Sequence, residues 1–111
     1  VKTNRLRALA VTSLEPSALA PGLPTAAATG LPGYESVSIV GVLAPSKTPA
    51  AIINRLNQEM VRVLNMPEVK DRFLNVGIEV VTSSPEQFAA TIKSDFAKWS
   101  KVIKDAGIKV D

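Results

Sequence analysis

The sequence predicts an α/β fold. Three observations carry that prediction: a β-branched run over residues 36–44, two helical stretches opened by cap and proline signals, and an order in which extended and helical segments alternate. The 111 residues match the size of one domain. A chain of this length is expected to bury roughly two-thirds of the surface it exposes unfolded, enough for one core.

The elements follow in order. Residues 6–12, Leu-Arg-Ala-Leu-Ala-Val-Thr, form a short, mostly apolar run whose length suits a buried strand, although a helix fragment fits the same run. Residues 14–33 hold Pro16, Pro21, Pro24 and Pro32 with Gly22, Gly30 and Gly33, so no long helix or central strand runs through them. Within that stretch Thr25 is placed to cap a helical turn that Gly30 ends. Residues 36–44 read Ser-Val-Ser-Ile-Val-Gly-Val-Leu-Ala, a strand by composition. One of its faces turns from polar (Ser36, Ser38) to apolar (Val40, Val42), the pattern of a segment entering a core.

Two helices are better signalled. Thr48 is the expected N-cap of the first, with Pro49 at its first position, where a missing N–H costs nothing. Ile52, Leu56, Met60, Val63 and Leu64 then recur at helical spacing, and Glu59 and Arg62 form an i,i+3 pair on the polar face. Met66-Pro67 breaks this helix, a shorter one restarts at Pro67, and Gly77 stops it. Residues 78–81 read as a short strand. The last helix opens with Ser84-Pro85-Glu86-Gln87, a capping box. Phe88, Ile92, Phe96, Trp99, Ile103 and Ala106 fall within a sector of about 80° on its wheel, the expected core face. Gly107 ends it.

Composition excludes more than it assigns. There is no Cys, hence no disulfide, thiol nucleophile or Cys metal site. There is no His, which removes the commonest general base and metal ligand. The net charge of +3 is too mild to argue for nucleic acid or a membrane surface. No apolar run approaches the roughly 18 residues needed to cross a bilayer. The start, Val-Lys-Thr-Asn-Arg, has neither an initiator Met nor signal-peptide character, so a processed or truncated chain is expected. Gly30-Leu31-Pro32-Gly33 matches a nucleic-acid GxxG clamp only superficially, since Pro32 interrupts it and no helix follows. Lys93, Lys98, Lys101 and Lys104 make an ordinary solvated helix face. Glu68 with Asp71, and Glu86 with Asp95, are spaced as surface acids and no third ligand converges on them, so no metal site, cofactor or enzyme activity is expected.

An ordered set of short strings nonetheless points to a family: residues 6–13, Leu23-Pro24-Thr25, Ala28-Thr29-Gly30-Leu31-Pro32-Gly33-Tyr34-Glu35, Gly41-Val42-Leu43-Ala44-Pro45, Thr48-Pro49, Arg55-Leu56-Asn57, Pro67-Glu68-Val69, Ser84-Pro85-Glu86-Gln87-Phe88, Lys98-Trp99 and residues 102–108. In order and spacing these strings resemble the C-terminal third of the substrate-binding proteins of tripartite tricarboxylate transporters, the Bug receptors of Bordetella and its relatives. The resemblance spans essentially the whole chain. It implies a fragment of a two-lobed periplasmic-binding-protein fold of the type II, Venus-flytrap kind. It further implies a periplasmic, non-enzymatic receptor that captures a small carboxylate and delivers it to a membrane permease. Residues 1–35 would belong to the second lobe, 36–44 to a strand crossing the hinge, and 45–111 to the first lobe.

Relatives often carry an aromatic pair before the Gly41 position, where this chain has Ile39-Val40, which leaves the identity of the ligand open. About two-thirds of a receptor would lie N-terminal to this chain. The residues expected nearest the ligand are Thr12 and Ser13 at a strand end, and Ser38 with Ile39 at the hinge, because hydroxyls and backbone amides offer a carboxylate donors. Elements cut from two lobes expose edges and apolar faces, so oligomerisation or a strand-exchanged dimer is expected of the chain alone. The alternative is a self-associating α/β interaction module that binds no ligand.

Overall fold

A computed structural model describes residues 5–109. The chain divides into two units: one runs to Ala44 and resumes over Met66–Val80, and the other takes Pro45–Asn65 and everything from Val81 onward. Three helices are formed, α1 (Ala50–Leu64), α2 (Pro67–Asn75) and α3 (Pro85–Asp105).

In the second unit, α1 begins one residue later than its cap signal predicts. Pro49 has a helical φ of −57° but an extended ψ of 141°, so it occupies the N-cap position itself and Thr48 falls outside the helix. The Thr48 N–H instead closes a turn onto the Pro45 carbonyl at 3.0 Å, and no side chain caps α1. The polar face holds together as its spacing implies. Glu59 reaches Arg55 at 3.1 Å and Arg62 at 2.9 Å, exposed pairs worth a few tenths of a kcal/mol each, roughly. Met66, preceding a proline, is pushed to ψ 131°, and the helical path ends there.

The start of α3 is fixed by a reciprocal cap. Ser84 Oγ accepts the Gln87 N–H at 3.2 Å, and Gln87 Oε1 accepts the Ser84 N–H at 2.9 Å. The Ser84 hydroxyl also donates to Glu86 at 2.8 Å. The residue's own backbone N–H, and after it this hydroxyl, hold the pKa of the Glu86 carboxyl below its ordinary value. Helices α1 and α3 touch, and Asn57 Nδ2 donates to the Ser83 carbonyl at 2.9 Å just ahead of the α3 cap. On α3 itself Lys98 pairs with Asp95 at 3.0 Å and sits 5.8 Å from the centroid of the Trp99 ring.

Both α2 and α3 close with the same device. After α2 the Gly77 N–H bonds the Leu74 carbonyl at 3.0 Å and the Ile78 N–H bonds the Phe73 carbonyl at 2.9 Å. After α3 Gly107 and Ile108 do the same to Lys104 and Ile103. The motif needs a left-handed residue, and Gly77 supplies it at φ +83°. A Cβ at Gly77 meets nothing within 4 Å, so Gly77→Ala is opposed by backbone conformation alone. It should cost about 1 kcal/mol, read as a lower urea midpoint of the helical circular dichroism signal.

The first unit is mostly irregular. Residues 6–12, 36–44 and 78–81, expected as strands, form none among the described residues. Among the described residues the only ladder contact is an isolated parallel bridge between Val11 and Thr25. Here the Val11 N–H bonds the Pro24 carbonyl at 2.9 Å and the Ala26 N–H bonds the Val11 carbonyl at 2.8 Å. The physical reason is pairing. A strand is stabilised by a neighbour that satisfies its N–H and C=O groups, and for residues 36–44 the described chain offers partners only at Ser36, whose N–H bonds the Thr12 carbonyl at 2.9 Å and whose carbonyl accepts from Thr12 Oγ1 at 2.6 Å. The Thr25 turn forms as expected, with the Ala28 N–H on Thr25 Oγ1 at 3.2 Å.

The expected core is also absent among the described residues: no hydrophobic side chain is buried, and the one buried residue is Thr25, at 6% exposure. Val40, Val42 and Leu43 are 82%, 71% and 78% exposed, and the apolar sector of α3 leaves Phe96 at 75%. The periodicity forms the helices it predicts, but the faces expected to pack are exposed among the described residues.

Candidate functional site

The four residues singled out by sequence all lie in the first unit. Thr12 and Ser13 follow the Val11–Thr25 bridge directly, so their position is set by the two backbone bonds that hold Val11 between Pro24 and Ala26. Thr12 is tied twice to Ser36: its Oγ1 donates to the Ser36 carbonyl at 2.6 Å, and its carbonyl accepts the Ser36 N–H at 2.9 Å. Ser38 and Ile39 lie two and three residues beyond that contact, both exposed. The structure therefore brings Thr12 to the segment that carries Ser38 and Ile39, although the two stretches are far apart in sequence.

The hydroxyls are already engaged. Ser13 Oγ donates to the Glu15 carbonyl at 2.7 Å, as Thr12 Oγ1 does to Ser36. A hydroxyl has one O–H donor. Either residue can donate to a bound carboxylate only by releasing its present carbonyl, and a charge-assisted bond favours that exchange.

Two hollows are present in the same unit, and none of these four residues lines either. One is cupped by residues 30–34. The other, of about 220 Å³, lies between Lys70, Asp71 and Leu74 of α2 and residues 78–80, with Ala18 at its edge. At that edge is a contact that no local sequence pattern marks. The Glu79 carboxylate accepts from Ser17 Oγ at 2.7 Å and from the Ala18 N–H at 2.8 Å, and these bonds, the hydroxyl's first, hold its pKa below the ordinary value. Among the described residues no group of three or more His, Cys, Asp or Glu could hold a metal ion, and no helix is long and apolar enough to cross a membrane.

The solved structure of R. palustris Rpa4515 with adipate aligns with 89% of this chain at a TM-score of 0.72 and 34% identity, and the aligned part is 33% of that protein. The class is therefore the two-lobed periplasmic-binding-protein fold, present here in part. The family model described as the tripartite tricarboxylate transporter family receptor matches residues 1–108, and the chain belongs to that family. It is a family of transport receptors rather than of enzymes. A Pseudomonas sp. strain P51 protein from the tcbD-tcbE intergenic region is 38% identical over 93% of the chain. Protein BugT of Bordetella pertussis is 30% identical over 99% of it. The chain spans about a third of the length of each of these two relatives (31% and 34%), and 62% of a Pseudomonas knackmussii relative from the clcB-clcD intergenic region.

Proposed function

We propose that this chain is the C-terminal portion of an extracytoplasmic solute-binding receptor that captures a small carboxylate and delivers it to the membrane permease of a tripartite tricarboxylate-type transporter. The observation that carries the reading is the family match over residues 1–108, supported by the structural likeness to a protein solved with adipate. In this reading residues 1–35 belong to one lobe, 36–44 cross the hinge, and 45–111 belong to the other. Thr12, Ser13, Ser38 and Ile39 sit at the cleft, and the hydroxyls of the first three, with nearby backbone amides, meet the carboxylate. The exposed faces of α1 and α3 and the unpaired stretch 36–44 are covered by the preceding two-thirds of the receptor.

The test is transport. Deleting the gene in its native host should abolish uptake of one carboxylate, and the receptor supplied on a plasmid should restore it. Unchanged uptake of every carboxylate tried would refute the reading. The exposed apolar faces also favour a second reading, in which two copies of the chain cover one another without binding ligand. Sedimentation of the chain across a wide concentration range separates the two, since the second requires a dimer that gains no further partner when the preceding receptor segment is supplied.

A further inference from the structure

We propose that Glu79 is a proton-released clip that fastens the Ser17–Ala20 turn to the segment following α2, whatever the receptor binds. The geometry is that of a carboxylate held at both oxygens: Ser17 Oγ donates to Oε2 at 2.7 Å and the Ala18 N–H donates to Oε1 at 2.8 Å. The turn is preformed to present these donors. Its Ala20 N–H closes onto the Ser17 carbonyl at 3.1 Å, and its Leu19 N–H meets Ser17 Oγ at 3.2 Å. Pro16 and Pro21 flank it, so no ladder or helix can hold it instead. Among the described residues these are the two hydrogen bonds that join residues 14–20 to a distant part of the chain, across 61 and 62 residues. The other end of the clip is equally fixed. Glu79 follows the α2 closure in which the Ile78 N–H is bound by the Phe73 carbonyl.

Protonation alters this arrangement in a definite way. A neutral carboxyl carries a donor on one oxygen and keeps a single, weaker acceptor. Ser17 can reverse its role and accept, whereas the Ala18 N–H cannot, and it loses the charge that strengthens its bond. The contribution of Glu79 is therefore complete above the ordinary Glu value of about 4.3. It is lost as pH falls through the lowered value of the folded chain. The charged groups that line the same hollow as Glu79 are Lys70 and Asp71 of α2, and Glu15 precedes the turn in sequence.

The experiment follows the Ala18 amide proton by nuclear magnetic resonance in the full 111-residue chain from neutral to acid pH, with hydrogen exchange of residues 17–20 corrected for its intrinsic pH dependence. The parent should show one titration at Ala18 with a midpoint below about 4.3. Exchange protection over residues 17–20 should fall about tenfold across it. In Glu79→Gln, which keeps the shape and cannot ionise, the Ala18 titration should vanish while the α2 amides are unchanged. In Asp71→Asn it should persist. A pH-independent Ala18 signal in the parent overturns the proposal. So does a Glu79→Gln chain that titrates like the parent, or a titration removed by Asp71→Asn alone.

Discussion

Phe96→Ala should leave the 111-residue chain almost unchanged and cripple the longer receptor proposed for it. Phe96 lies mid-way along α3 with 75% of its surface exposed, and Ile92 and Trp99 on the same face are 42% and 38% exposed. A substitution at so open a site alters stability by no more than about 0.5 kcal/mol, and alanine is the better helix former. If the proposed receptor covers this face, Phe96 becomes a core contact there, where removing a phenyl ring costs about 3–5 kcal/mol. Paired denaturation curves, one for the chain and one for the receptor, read the contrast directly. Equal, small effects in both would mean that nothing covers α3. A large loss in the chain alone would mean that it builds its own core by association.

Ligand affinity should fall about tenfold, or roughly 1.4 kcal/mol, when Thr12→Val or Ser13→Ala is introduced into the receptor. Both substitutions remove one hydroxyl and leave the backbone amides in place. The effect is smaller than the full strength of a charge-assisted bond because each hydroxyl must first leave a carbonyl it already satisfies, Ser36 for Thr12 and Glu15 for Ser13. Isothermal titration with the carboxylate that the receptor transports checks this. Undiminished affinity in both variants would remove these hydroxyls from the site and leave the amides as donors.

What was legible in the sequence is what local physics decides. The capping box of Ser84 and Gln87, the break at Met66-Pro67, and the left-handed glycines at 77 and 107 each depend on residues within one helical turn, and each is formed. Thr48 shows how fine the margin is: one extended ψ at Pro49 moves the cap by a residue. The strands were not legible in the same sense. The β-branched residues of 36–44 declare a preference for extended backbone, but a strand is completed by its neighbour, and propensity carries no information about where that neighbour lies. The apolar stripe of α3 likewise names the face and not its cover. At the candidate site, the Thr12–Ser36 tie and the Glu79 clip join segments 24 and about 60 residues apart through ordinary polar side chains. No spacing rule marks such pairs.

If this chain completes a carboxylate receptor, as proposed, a thermal unfolding series on the native gene product with a panel of mono-, di- and tricarboxylates will register it. A ligand present at about 1,000 times its dissociation constant stabilises the folded state by about 4.1 kcal/mol. The melting temperature should rise clearly with at least one carboxylate and not with the matching amides. A melting temperature unmoved by every carboxylate in the panel would contradict the proposed receptor role.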